Sequence, residues 1–216
     1  EIAMRTVLLF ALVACLILGT GILQSWNSAL LILNMGLISA VMALGVNLQW
    51  GLAGLFNVGV MGFVALGGLA VVLISMPPVG AAWQAGGGNI LLGLVLGAAT
   101  IVAAVLVWSR TRGKLRGWAT AAVLLVGMVI YRMVLDPAVD AVEAVDPALA
   151  GYLGGLGLPV LLAWPVGGIL AAGAAYVIGK TALGLRSDYL AIATLGIAEI
   201  IIAILKNEGW LARGVK

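Results

Sequence analysis

Glu199 is the residue in this chain whose placement most asks for a chemical explanation. Seventeen residues separate Asp188 from Lys206, and all of them except Glu199 are uncharged and mostly apolar. At about 1.5 Å of rise per residue, Glu199 lies roughly 16 Å beyond Asp188, near the middle of a hydrocarbon layer about 30 Å thick. A carboxylate at that depth faces protein or water rather than lipid. Lys206, a further seven residues on, shares nearly the same helix face but lies about 10 Å further out. It snorkels toward the surface and does not neutralise Glu199 directly. Two readings stand side by side. One is a substrate or ion pathway; the other is a hydrogen bond between helices, with Asn34, Asn47, Asn57 or Thr194 as partner.

A second polar and glycine-rich stretch is QWGLAGLFNVGVMGFVALGGL at 49–69. It carries Gly51, Gly54, Gly59, Gly62, Gly67 and Gly68 together with Asn57. Glycine weakens a helix in water but lets backbones approach closely in lipid. Such a segment is either a tight packing face or a bent or broken helix. In the second case its freed backbone groups must line a cavity or face protein. Asn47, Asn57, Gly59, Thr194 and Glu199 are therefore the candidate pathway or helix-packing residues. Gly93 and Gly97 form a GxxxG pair that reads as a packing face.

Other chemistries find little support. The chain has no His, which removes the commonest general base and metal ligand, and no nucleophile and base stand in a recognisable pair. No cofactor or metal site is expected. LVAC at 12–15 resembles a lipoprotein processing site, yet apolar sequence continues through LILGTGIL, long enough to span. VIGKT at 177–181 resembles a phosphate-binding loop, but Ala174 stands where that pattern needs Gly. Nucleotide and nucleic-acid binding by this chain are not expected.

The elements that position these residues follow from composition. The chain of 216 residues is 64% hydrophobic and 9% charged, with a mean hydropathy of +1.24. A soluble domain carries about 25% charged residues to keep its surface wet, so the solvent for most of this chain is lipid. No charged residue occurs between Arg5 and Arg110. The runs are continuously apolar, not alternating as in a membrane barrel. An all-α polytopic membrane protein is expected, with spans at 6–24, 29–48, 53–75, 89–108, 118–135, 158–178 and 189–206. QSWNS at 24–28, MPPVG at 76–80 and AGGGN at 85–89 read as turns, and Pro77 and Pro78 should end the third span.

Basic residues set orientation. RTRGKLRG at 110–117 carries four bases and belongs inside, whereas DPAVDAVEAVDP at 136–147 carries four acids and belongs outside. GKTALGLRSD at 179–188, with two bases, is inside again. With Arg5 inside, seven spans put every loop on its expected side and the N-terminus in the cytoplasm. Trp26, Trp83, Trp108, Trp118, Tyr131, Trp164, Tyr189 and Trp210 fall near span ends, as interfacial rings do. Trp50 sits in the expected turn between the second and third spans.

Two stretches resemble the permease subunits of bacterial ABC importers for branched-chain amino acids. The first is Gly51, Leu52, Gly54, Leu55, Asn57, Gly59, Phe63 and Gly67, which follows the family's G-L-x-G-L-x-N-x-G pattern. The second runs from Arg186 to Glu199, Ile200 and Ile201, matching R-S-D-Y-L-A-I-A-T-L-G-x-x-E-I-I, with Asn207, Glu208 and Trp210 after it. The likeness is greatest to the second of the two permease types. It implies a multi-pass protein of the bacterial inner membrane and no enzyme in itself. It also implies a second permease subunit, two ATPase subunits and an extracytoplasmic substrate-binding protein as partners. Leucine, isoleucine and valine are the implied substrates, with other amino acids, amides or urea carried by related systems. The chain reads as one transmembrane permease domain, the amino-terminal part of a longer permease, and residues 109–150 lie outside the resemblance. The competing class is a secondary, ion- or proton-coupled transporter in which Glu199 titrates.

Overall fold

In a computed structural model, which describes residues 2–148 and 151–212, every regular element among the described residues is helical. The helices are α1 (Ile2–Leu23), α2 (Trp26–Leu52), α3 (Val60–Ser75), α4 (Gly80–Arg110), α5 (Leu115–Glu143), α6 (Val160–Ala182), α7 (Ser187–Asn207) and a single turn, α8 (Gly209–Ala212). Six are long and apolar enough to cross a membrane, and α3 is a shorter apolar helix. The chain is an all-α polytopic membrane protein.

Local chemistry explains the boundaries. Ser25 caps α2, its hydroxyl accepting from the Ser28 backbone N–H at 3.2 Å. Pro77 and Pro78 follow the end of α3, as expected. Thr6, Thr20 and Thr100 each fold the hydroxyl back onto the carbonyl four residues earlier at 2.9 Å, so these three donors are satisfied within their own helices. α1 runs unbroken through Cys15, and VIGKT lies in the last turns of α6, where Lys180 stacks over the Tyr176 ring.

Side chains are distributed as lipid demands. Leu8, Leu31, Val95, Ile101, Leu125 and Ile169 are exposed, while Ala29, Ala70, Ala82, Ala104, Ala163 and Ala198 are buried. Small residues let helices approach, and large ones meet the acyl chains.

The chain divides into two compact units. The first comprises the residues up to Asn57 with Arg186–Ala191, and in it α1 packs on α2. The second comprises Val58–Leu185 with the residues from Ile192 onward; here α4 pairs with α5 and α3 with α6. Gly93 and Gly97 do form the packing face of α4. A Cβ on Gly93 would lie 2.9 Å from a Leu135 methyl, and one on Gly97 would lie 3.0 Å from the Tyr131 ring. The second unit's core joins Ala82, Ile90, Leu135, Ala138, Val142, Leu153 and Trp210.

Several expectations need correction. The third span starts at Val60, not at 53, and residues 53–59 are not helical. AGGGN is no turn: the helix widens to a π turn over Trp83–Gly87 and continues into the rest of α4. Gly86 and Gly87 are buried there, and a Cβ on Gly86 would lie 2.7 Å from the Ala138 carbonyl oxygen, so these glycines serve packing. The acidic stretch is largely helical, because α5 runs to Glu143 with Pro137 inside it. Its 29 residues span about 43 Å, well beyond a hydrocarbon core of about 30 Å, so the acidic end projects past that core. Trp210 is no interfacial ring. It is 7% exposed, and its indole N–H donates to Glu208 at 2.6 Å.

One element went unforeseen. Residues 151–158 form a non-helical strap, buried from Gly151 to Gly155. Leu156 and Leu158 donate N–H groups to the carbonyls of Leu73 and Ile74, and Gly157 donates to Met76. Leu153 links the strap to α8 through the Trp210 carbonyl at 3.0 Å and accepts from Val79 at 3.1 Å. The strap thereby satisfies carbonyls that the end of α3 leaves open. Gly154 has a φ of +76° and lies against the Pro77 carbonyl, a position closed to any side chain.

Candidate functional site

The glycine-rich stretch is a broken helix. From Asn47 to Leu52 the last turns of α2 widen to π geometry, and Ala53 donates its N–H to Leu48 at 3.1 Å. The chain then leaves the helix. Leu55 donates to the Gln49 carbonyl at 2.9 Å, and Asn57 to Leu55 at 3.0 Å. The Asn57 side-chain amide donates to Gln49 Oε1 at 2.9 Å, and Trp50 meets Phe56 edge-on with centroids 4.9 Å apart. The break is therefore built, braced by a polar pair and an aromatic pair. The Asn47 amide lies against Gly51, where a Cβ would collide with it. Beside it is an open cleft of about 470 Å³, lined by Ala43, Val46, Asn47, Trp50 and Gly51.

In the second unit the chain past the break rests on α7. The Val58 N–H donates to Thr194 Oγ1 at 3.2 Å. Gly59 caps α3 and touches α7 so closely that a Cβ would run into the Thr194 carbonyl and lie 3.3 Å from the Ala198 methyl. One turn on, a Cβ on Gly62 would stand 3.0 Å from Ala198 Cα. Thr194 and Ala198 are 4% and 2% exposed. The contact is a small-residue crossing with a hydroxyl hydrogen bond at its edge.

The candidate residues thus separate into three settings. Gly59 and Thr194 meet in the crossing. Asn57 pairs with Gln49, and Asn47 lies at the π turn. Glu199, five residues past Thr194, points about 140° away around α7. It is exposed, and it makes no hydrogen bond or ion pair among the described residues. Sequence reasoning passed over Gln49 and Ala198, and took Gly62 only as one glycine of a packing or broken segment. The spacing Gly59-x-x-Gly62 opposite Thr194-x-x-x-Ala198 carries the signal for the last two. No group of three His, Cys, Asp or Glu among the described residues is placed to hold a metal ion.

These features define a helical membrane protein whose broken second helix and small-residue crossing sit where its two distinctive sequence stretches lie. The chain is 40% identical over 74 residues to the high-affinity branched-chain amino acid transport system permease protein LivM of Escherichia coli strain K12. It is 39% identical over 74 residues to the protein of the same name from Salmonella typhimurium. Each match covers 34% of this chain and 17% of the relative's length. No family model matches, and no solved structure matches.

Proposed function

We propose that the chain is part of the membrane-spanning permease of an ATP-driven importer that carries branched-chain or related amino acids into the cytoplasm. The 40% identity to a branched-chain amino acid permease is the observation that carries this reading. The two stretches that resemble the family support it, since they build the broken helix and the helix crossing. In this reading the protein is the second type of a permease pair in the bacterial inner membrane. ATP is hydrolysed on two separate subunits, and an extracytoplasmic binding protein delivers substrate.

A broken helix supports such a role physically. Backbone groups freed from helical pairing are tolerated at membrane depth only beside protein or a water-filled cavity, where they bind the charged ends of a solute. The cleft beside Asn47 is within the range of small-molecule sites. Glu199, an exposed carboxylate amid apolar sequence, favours a second reading, proton-coupled transport. Leucine uptake into cells separates the two. Uptake that stops when the partner ATPase is inactivated, and persists when the proton gradient is collapsed, is the expected result. The reverse pattern assigns the chain to the coupled class.

A further inference from the structure

We propose that the turn between α4 and α5 is a binding site for the phosphate of an anionic membrane lipid. Arg110, Arg112, Lys114 and Arg116 lie within seven residues, and none of the four forms an ion pair among the described residues. Arg110, Arg112 and Lys114 are exposed. Arg116 is held differently: its guanidinium carbon lies 3.8 Å above the Trp108 ring. That stacking fixes the plane of the guanidinium, yet its N–H groups find no acceptor among the described residues, and Nε is buried without a partner. An oriented, unsatisfied guanidinium presents paired N–H donors to two oxygens of one oxyanion, and a phosphate group accepts them bidentately.

The surroundings point to a lipid as the source of that phosphate. Trp108 and Trp118 flank the turn and are exposed, where indoles sit at headgroup level. The first turn of α5 has no side-chain cap at Lys114, so its open N–H groups add to the positive field. The nearest acid on this hairpin, Asp136, is 21 residues along α5 from Leu115, about 32 Å away. Within this hairpin the bases therefore have no counter-charge, and orienting the protein in the membrane does not require the stacked arginine. Clusters of four or more bases beside a membrane helix attract anionic lipid, about fivefold per base.

The test uses the intact protein in mild detergent, with lipid occupancy read by native mass spectrometry. Phosphatidylglycerol should bind at least tenfold more tightly than phosphatidylcholine at low salt, and 0.5 M salt should erase the difference. Millimolar inorganic phosphate should not displace the lipid. The triple variant Arg112→Gln, Lys114→Gln, Arg116→Gln should lose the preference. If that variant fails to insert, the single variants Arg112→Gln and Arg116→Gln should each reduce it about fivefold. Equal binding of the two lipids overturns the proposal, as does a preference that survives salt or neutralisation. Displacement by inorganic phosphate would make the site one for free phosphate. Loss of a co-purifying protein without any lipid effect would make it a protein-docking turn, and either result ends the lipid assignment.

Discussion

At Gly59 the chain has no room for a methyl group, because the Thr194 carbonyl and the Ala198 methyl occupy that space. Gly59→Val should therefore push α3 off α7 and cost about 1–3 kcal/mol, the usual range for overpacking. Gly68, with nothing within 4 Å of its would-be Cβ, provides the control: Gly68→Ala should keep or slightly raise stability. Melting temperatures of the two purified variants check the pair. Glu199 poses a different question, since it makes no hydrogen bond or ion pair among the described residues. If it serves as a hydrogen-bond partner for another helix, Glu199→Gln should assemble and transport nearly normally. Glu199→Leu should then weaken assembly by about 0.5–2 kcal/mol. Complex yield and leucine uptake measured side by side decide the matter. A well-assembled but inactive Gln variant would show that the charge or its proton belongs to the pathway.

At the scale of elements, two irregular segments do what helices in lipid do not do alone. The π turn that ends α2 and the break after it free backbone groups that Gln49 and Asn57 frame. The strap at 151–158 supplies N–H donors to the last carbonyls of α3 and ties them to α8 through Leu153 and Trp210. Its tightest point is Gly155, where a Cβ would stand 2.7 Å from the Met76 carbonyl oxygen and 2.9 Å from that of Leu73. Gly155→Ala should loosen the strap, lowering stability by about 1–3 kcal/mol and opening residues 151–158 to protease. Gly168, which has open space around it, should accept Ala without either effect. Equal protease resistance in both variants would remove the strap's proposed role as a fastener.

For the whole molecule, the charge pattern along α4 and α5 makes a topological prediction. In a background where Cys15 is replaced by Ser, cysteines at Gly117 and Ala144, exposed positions near the two ends of α5, should label from opposite faces of the membrane. The Gly117 position should react only from the cytoplasm, since the four bases beside it favour that side. Labelling of both from one side would break the proposed order of crossings.

Lipid as the solvent, an all-helical fold and the positions of most spans are determined by sequence alone. Twenty apolar residues in a row leave few other structures for the backbone in hydrocarbon. The GxxxG face of α4 and the stop at Pro77 were legible for the same reason, because each is a local rule. Tertiary structure alone decides which glycines break a helix and which pack it. Gly86 and Gly87 look like a turn in sequence but face the Ala138 carbonyl and the Trp83 ring inside a continuous helix. The segment at 53–59, with a similar composition, leaves the helix and finds partners for its donors at Gln49, Leu55 and Thr194. Glycine permits both outcomes at nearly equal local cost, so the neighbour that fills or satisfies the site selects between them. Trp210 follows the same logic. Its spacing suits an interface, but Glu208 close by, Glu143 some 67 residues earlier and the strap at Leu153 give it a buried seat. Contacts across such separations set a residue's burial, and no local pattern encodes them.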